Sequence, residues 1–278
     1  GKGERTTAVL AMGSMLMVAG MSAFEARAQA HNHAPTQAKA PAAPTPAPPS
    51  TPPPAPTLPP PPIHPWVTTP PRAAAPEAYF TNLRNGESIE TPFVVRFGLS
   101  GYGIAPIVKG VPRTGHHHML VNRDLPLDFK EPLPFNDQYI HFGKGQMETV
   151  LSFPPGTYTL RLLLADHKHI PHFIYSKPTT ITVTRKNGVD PKTLATQGVA
   201  ILSPASGAQL HSPFKVQFHA SGLNVSHVEL QEKGSGHFRL VAVKPDGKSE
   251  RIDFPGGHTE TWLQPPAGSY VLKLEFVS

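Results

Sequence analysis

The chain contains no cysteine, which excludes a disulfide framework, a thiolate metal site and a lipid anchor on cysteine. Charged residues are also scarce, at 16%, and the net charge of +6 comes from lysines and arginines that are scattered singly. No basic stripe interleaved with aromatic residues appears, so we predict no nucleic-acid partner. The sequence also lacks a G-x-S-x-G elbow, an H-E-x-x-H pair and a Walker loop, and we predict that the protein is not an enzyme.

The first thirty residues have the pattern of a cleaved export signal. Lys2 and Arg5 precede an apolar run at 8–24, and the "AQA" that ends at Ala30 is a small-x-small cleavage site. The apolar run, of about seventeen residues, is marginal for spanning a bilayer. We therefore predict a signal peptide at 1–30 and a periplasmic or secreted mature protein without a membrane span, with an uncleaved anchor as the alternative.

Proline, in contrast to cysteine, is abundant, and 18 of the 35 prolines lie between Pro35 and Pro76. A low-complexity Pro/Ala/Thr tract favours extended polyproline II and cannot form a packed core. We predict a disordered, proline-rich linker at 31–78 that acts as a stalk.

Short segments rich in β-forming residues follow the linker, separated by Gly, Pro and Asn clusters. No segment beyond the signal shows a convincing 3.6-residue apolar period, so the mature protein is predicted to be almost all β. The second half of the chain repeats the first in three ordered blocks: 212–222 parallels 91–101, 236–241 parallels 115–120, and 260–274 parallels 148–162. The members of the first two pairs of blocks are 121 residues apart, and those of the third pair are 112 residues apart. This pattern predicts a duplication in which one loop of the second copy is shorter.

The repeat predicts tandem immunoglobulin-like β-sandwiches at 79–185 and 200–278, joined by a linker at 186–199. Aligning the copies places Ser278 opposite Asp166, so the second copy is predicted to lack a counterpart of "PTTITVT" (178–184). A sheet without its closing strand exposes unpaired backbone groups. We expect either that the sequence is a fragment or that another segment fills this edge by strand addition.

Three consecutive histidines stand in "RTGHHHMLVN" (113–122). Alternate residues of a strand face opposite sides, so His116 and His118 share one face and His117 lies on the other. The second copy has Phe238 in place of His117 and Arg239 in place of His118. We therefore predict that His117 is semi-buried with its polar atoms satisfied, and that His116 and His118 point outward together.

Two imidazoles at H-x-H spacing stand about 6.5–7 Å apart at the backbone and can converge on one metal ion. The further ligands that we predict are His141, His169 and His172. Imidazoles without thiolate suit Cu(II), zinc or nickel, and intrinsic affinity favours copper. The structural alternative is a set of solvated surface histidines.

The second copy has lost most of this set, because it keeps His237 for His116 but has Asp253 for His141. This asymmetry favours a function in the first copy. The predicted function is a periplasmic, non-enzymatic metal-binding module, most suited to copper. The rival is an immunoglobulin-like tandem that recognises a protein or a cell-wall glycan.

A second candidate site depends on the cleavage point. Cleavage after Ala30 would leave His31 first and His33 third. A free amine, two amides and a third-position imidazole form a square-planar set for Cu(II) or nickel.

The stretch "TGHHHMLVN", followed by "HFGKGQMETVLSFPPGTYTLRLLLADHKHIPH", resembles a bacterial exported family, domain of unknown function 4399. The resemblance covers residues 79–184, with a diverged second copy at 200–278, and Met147 replaces the usual threonine. The family's histidine pattern falls on His116 to His118, His141, and His169 with His172. The resemblance implies export and this fold, and no established activity.

Overall fold

The computed structural model describes residues 6–10, 52, 63–126 and 128–278. The regular secondary structure of this part of the chain is nearly all β-strand, as predicted, apart from two short 3-10 helices at Pro191–Leu194 and Val228–Leu230. Within the described ranges, no helix has the length and apolar character needed to cross a membrane.

The strands are numbered in chain order. They are β1 (Thr6–Leu10), β2 (Val67–Thr68), β3 (Glu77–Phe80), β4 (Glu87–Thr91), β5 (Phe93–Ser100), β6 (Gly103–Ile104), β7 (Thr114–Val121), β8 (Tyr139–His141), β9 (Glu148–Leu151), β10 (Gly156–Ala165), β11 (Pro171–Tyr175), β12 (Thr179–Lys186), β13 (Gly198–Ser203), β14 (Gln209–Leu210), β15 (Phe214–Ser221), β16 (Asn224–Val225), β17 (Ser235–Val243), β18 (Ser249–Asp253), β19 (Glu260–Leu263) and β20 (Ser269–Val277).

The first copy is a sandwich of two sheets. One sheet has the order β4-β12-β10-β7-β6, with β11 on β10 and β8 on β7, and the other has the order β3-β5-β9. Strand β5 shows why these residues form a sandwich, because Phe93, Val95 and Phe97 are buried while the residues between them are partly exposed. This period-2 burial places one face of the strand in the core.

The second copy repeats this architecture, which confirms the predicted duplication. Its sheets have the orders β14-β1-β20-β17-β16, with β18 on β17, and β13-β15-β19-β2. The core rings repeat as well. Phe97 and Phe142 lie 4.8 Å apart between ring centroids, and their counterparts Phe218 and Phe254 lie 5.0 Å apart. The two copies are therefore tandem immunoglobulin-like β-sandwiches.

Strand β1 fills the position that the alignment predicts to be open. In the first copy β12 lies between β10 and β4, and in the second copy β1 lies between β20 and β14, the counterparts of those strands. Its direction is reversed, because β12 runs antiparallel to β10 whereas β1 runs parallel to β20. Thr6–Leu10 belongs to the predicted signal peptide, and the rest of 1–30 lies outside the described residues.

The end of the predicted linker packs against the second copy, so the linker prediction does not hold for residues 63–68. Trp66 is buried, its ring lies 5.4 Å from that of Tyr270, and β2 pairs with β19. An apolar indole that reaches a core gains more from burial than from remaining on a solvated stalk. The proline tract before residue 63 lies outside the described residues, apart from Pro52.

The two copies also pack against each other through equivalent residues. Ile104 N–H donates to the Gly257 carbonyl across 2.9 Å, and the equivalent Val225 N–H donates to the equivalent Gly145 carbonyl across 2.9 Å. Such reciprocal contacts are the signature of a two-fold interface. The duplicated chain therefore builds within itself the kind of contact that two copies of one domain would make.

Candidate metal centre

Four histidines from three parts of the first copy meet at one point. His116 and His118 lie on β7, His141 lies on β8, and His169 lies in the turn between β10 and β11. The strand register explains the convergence, because His118 pairs directly with His141 and His116 pairs with Ala165, near the end of β10. One ligand atom from each of the four side chains lies within 4.8 Å of the others.

The closest nitrogens are separated by distances that one metal ion would bridge. His118 Nε2 lies 2.8 Å from His141 Nδ1 and 3.4 Å from His169 Nδ1, and His116 Nε2 lies 3.2 Å from His169 Nδ1. Four ligands with bonds of about 2.0–2.1 Å are separated by roughly 3.3 Å in a tetrahedron, or by roughly 2.9 and 4.1 Å in a square plane. The three closest contacts lie near these values, whereas the whole set extends to 4.8 Å, so the imidazoles would have to draw together slightly around an ion.

A backbone carbonyl fixes the tautomer of His141. Its Nε2 lies 3.0 Å from the Pro134 carbonyl, to which it donates. The proton on Nε2 leaves the lone pair on Nδ1, the atom that faces the other imidazoles. A carbonyl that accepts the outer N–H of a histidine is the usual way in which proteins orient a ligand imidazole.

The turn that carries His169 is held by Asp166. The Asp166 carboxylate accepts the backbone N–H groups of Lys168 and Ile170, and the His169 N–H donates to the Asp166 carbonyl. His169 itself has a φ of 61°, in the left-handed region that non-glycine residues seldom adopt. Backbone strain of this kind is typical of residues whose side chain must be aimed at a site.

All four imidazoles have a lowered pKa, chiefly because burial disfavours the charged form. Burial, with nearby histidines, lowers the pKa of His116 to about 3 and the pKa of His118 well below its usual value. Burial also lowers the pKa of His141 and of His169, although the Pro134 carbonyl and the Asp166 carboxylate oppose it. The cluster is therefore neutral at pH 7, which favours metal binding. In the metal-free protein His118 Nε2 donates to His141 Nδ1, so this proton must leave Nε2 before His118 can bind an ion.

The prediction that His116 and His118 point outward is wrong, because both are fully buried. They do lie on the face opposite His117, but the segment between β7 and β8 covers that face. Leu133 from this segment packs with Leu120 and Leu163 in a small second core. The signal was present in the sequence: a strand that reads "HHHMLV" without polar alternation is typical of burial on both faces.

His117 is buried as expected, but its polar atoms are not satisfied. Neither ring nitrogen has a hydrogen-bond partner among the described residues, and the ring packs 5.2 Å from that of Phe97. Burial lowers the pKa of His117 to about 3. In the second copy the Phe218 and Phe238 rings lie 5.3 Å apart, so His117 occupies a position built for an apolar ring.

One further predicted ligand lies outside the cluster. His172 is outside the group of four, because its Nε2 donates to the Thr114 carbonyl across 3.0 Å and its ring contacts that of Tyr102. His31 and His33 lie outside the described residues.

The second copy places an ion pair where the first has its imidazoles. Arg239 pairs with Asp253 in the register that joins His118 to His141. Arg239 Nε lies 2.7 Å from Asp253 Oδ1, and Arg239 Nη1 lies 3.8 Å from Glu275 Oε2. A guanidinium thus provides the positive charge that links these strands in the second copy.

Sequence reasoning missed Phe135, whose ring stacks on His141. The two centroids are 4.2 Å apart and the planes differ by 6°. An aromatic residue in a proline-containing loop, "PLPFND", was the available signal, but nothing local connects it to a histidine six positions later.

Comparisons with known proteins agree with the repeat. The family model described as "Domain of unknown function (DUF4399)" matches residues 95–184 and 216–278. No curated protein matches the chain.

Among solved structures, the chain is similar to dimeric latent PorU from Porphyromonas gingivalis, with 10% identity and a TM-score of 0.28. The match covers 73% of this chain and 20% of that chain. It is also similar to a two-domain fibronectin type III segment of chicken tenascin, with 14% identity over 73% of this chain and 91% of the other, and a TM-score of 0.19. Both TM-scores are low, so the fold assignment depends on the topology described above. The family match, in contrast, covers more than half of the sequence and falls on both sandwiches, and the chain therefore belongs to the DUF4399 family.

Proposed function

We propose that this protein is an exported, non-enzymatic copper-binding module, with His116, His118, His141 and His169 as the ligands. The observation that carries the proposal is the convergence of four neutral imidazole nitrogens from three separate elements. Imidazole-only ligand sets suit copper, zinc and nickel, and Cu(II) forms the most stable complexes of the three.

The spacing of the nitrogens favours Cu(II) over zinc. A regular tetrahedron, which structural zinc adopts, requires one spacing of roughly 3.3 Å for all pairs. The contacts here range from 2.8 to 3.4 Å, and the whole set extends to 4.8 Å. Once the widest pair has drawn together to about 4.1 Å, such unequal spacings are more compatible with the tetragonal geometry of Cu(II) than with a regular tetrahedron.

The number of ligands supports a binding role rather than catalysis. Catalytic metal sites keep a coordination position open for water or substrate and therefore use three protein ligands. Four imidazoles complete the shell of a four-coordinate ion. The proposal that the protein is exported depends on the N-terminal sequence pattern.

Isothermal titration of the full chain with Cu(II), Zn(II) and Ni(II) tests this function. The variant His31→Ala/His33→Ala removes the N-terminal motif and serves as the background. In this background we expect one copper ion per chain, bound more tightly than zinc. His118→Ala and His141→Ala should abolish this binding, whereas His237→Ala, at the position of the second copy that matches His116, should leave it unchanged. Unaltered copper binding by His118→Ala would overturn the proposal.

A further inference from the structure

A three-residue segment of the first copy contacts both of the half-exposed imidazoles. Phe135 stacks on His141 at 4.2 Å and meets His169 edge-on, with centroids 5.0 Å apart. The Pro134 carbonyl accepts the Nε2 proton of His141, and Leu133 N–H donates to the His169 carbonyl across 2.8 Å. The segment Leu133–Phe135 thus holds each of these two histidines by two different interactions.

The burial of the four histidines shows which side of the cluster faces solvent. His116 and His118 are fully buried, whereas His141 and His169 are partly exposed. Phe135 lies on this exposed side and is itself 73% exposed. An exposed phenylalanine has no hydrophobic reason to keep its position, and its ring contacts are with His141 and His169.

The second copy provides a comparison within the same chain. Its β17–β18 connection is the short turn at 244–248, whereas the β7–β8 connection spans 122–138. The copy with the short turn has the Arg239–Asp253 ion pair in place of His118 and His141. Phe135 and the His118–His141 pair therefore occur together in one copy, and counterparts of both are missing from the other.

We propose that Phe135 is a positioning residue that holds His141 and His169 in their ligand orientations and limits the exchange of the bound metal ion with solvent. This inference rests on the function proposed above. Release of the ion requires His141 or His169 to rotate away, because His116 and His118 are enclosed. Such rotation breaks the ring contacts of Phe135. The stabilisation that one aromatic pair of this geometry provides corresponds to a change of roughly threefold to tenfold in the rate at which the pair separates. Phe135 makes two such pairs.

The experiment measures the release of Cu(II) from the full chain to excess EDTA by stopped-flow absorbance, in the His31→Ala/His33→Ala background. Phe135→Ala should release copper at least about threefold faster. Phe135→Tyr, which keeps the ring, should restore the slow rate. Phe153→Ala is the matched control, because Phe153 forms an aromatic stack in the same copy but on Tyr158 rather than on a histidine, and it should release copper at the unmodified rate.

Electron paramagnetic resonance of the copper-loaded variants provides a readout that a general loss of stability would not move. The hyperfine splitting should change in Phe135→Ala and return in Phe135→Tyr, because His141 and His169 lose and regain their orientation. Equal release rates in Phe135→Ala and the unmodified protein would overturn the inference. Equally fast release in Phe153→Ala would overturn it as well, since the loss of any aromatic pair in the first copy, and not of Phe135 in particular, would then speed exchange. If His118→Ala binds copper normally, the proposed function itself fails.

Discussion

Arg239 and Asp253 form a 2.7 Å ion pair at the two positions where the first copy has His118 and His141. The second copy therefore links its strands without a metal ion, and it serves as an internal control for the first. If copper links β7 to β8 and to the turn that carries His169, its effects should be confined to those elements.

Hydrogen exchange with mass spectrometry tests this confinement. Cu(II) is added at a free concentration of about a hundred times its Kd. A ligand that binds only the folded state raises the free energy of unfolding by about 2.7 kcal/mol at this concentration. We expect slower exchange at β7, β8 and residues 166–170, and unchanged exchange at β17 and β18. Equal protection of the corresponding strands in both copies would contradict a site confined to the first.

The buried ring of His117 predicts a stabilising substitution. Phe238 fills the equivalent position, and both nitrogens of His117 lack a hydrogen-bond partner among the described residues. His117→Phe should raise the free energy of unfolding of the metal-free protein by about 1 kcal/mol, because it removes two unsatisfied buried atoms. Urea unfolding measures this change. His117→Ala, the control, should lower stability by leaving a cavity, and a lower stability of His117→Phe would refute the explanation.

A buried hydrogen bond joins the two copies and predicts their coupling. His219 Nε2 lies 2.7 Å from Glu148 Oε1, both side chains are almost fully buried, and the Ser221 hydroxyl donates to the same carboxylate. Glu148→Ala should lower the free energy of unfolding by about 1–3 kcal/mol, because it leaves the His219 Nε2 atom buried without its hydrogen-bond partner. In a double-mutant cycle, Glu148→Ala/His219→Ala should cost less than the sum of the two single changes. Strict additivity would show that the pair does not couple the copies.

The pKa of His258 predicts how stability depends on pH. Burial, with the charges of Arg113 and His227, lowers the pKa of His258 to about 4. In the unfolded chain the His258 imidazole binds a proton near pH 6.5, whereas in the folded chain it stays neutral down to about pH 4. The free energy of unfolding is therefore undiminished above pH 6.5 and falls as the pH drops from 6.5 towards 4. His258→Gln should make the dependence of the urea midpoint on pH less steep in this range. An unchanged pH dependence would contradict the assignment.

Much of the fold is predictable from the sequence because its signals are local or repeated. Alternating apolar residues, as in Phe93, Val95 and Phe97, identify strands and their inner faces. The duplication identifies equivalent residues, and Phe238 correctly indicates the core position of His117. The H-x-H spacing likewise indicates that His116 and His118 share a face, and this relationship underlies the candidate site.

The parts that could not be predicted depend on contacts between distant segments. Nothing near His118 in the sequence shows that Leu133 and Phe129 cover its strand, so a buried face was mistaken for a solvated one. The stacking of Phe135 on His141 and the separation of His172 from the other histidines depend on how two loops pack. Trp66 was assigned to the linker because the prolines around it dominate the local composition.

X-ray absorption spectroscopy of the copper-loaded full chain, in the His31→Ala/His33→Ala background, tests the four-histidine site most directly. The fine structure should show four nitrogen ligands at about 2.0 Å, with the outer-shell scattering of imidazole rings. His141→Ala should fail to retain copper and give no such spectrum. A shell with fewer than three imidazoles, or an identical spectrum from His118→Ala, would contradict a copper site formed by His116, His118, His141 and His169.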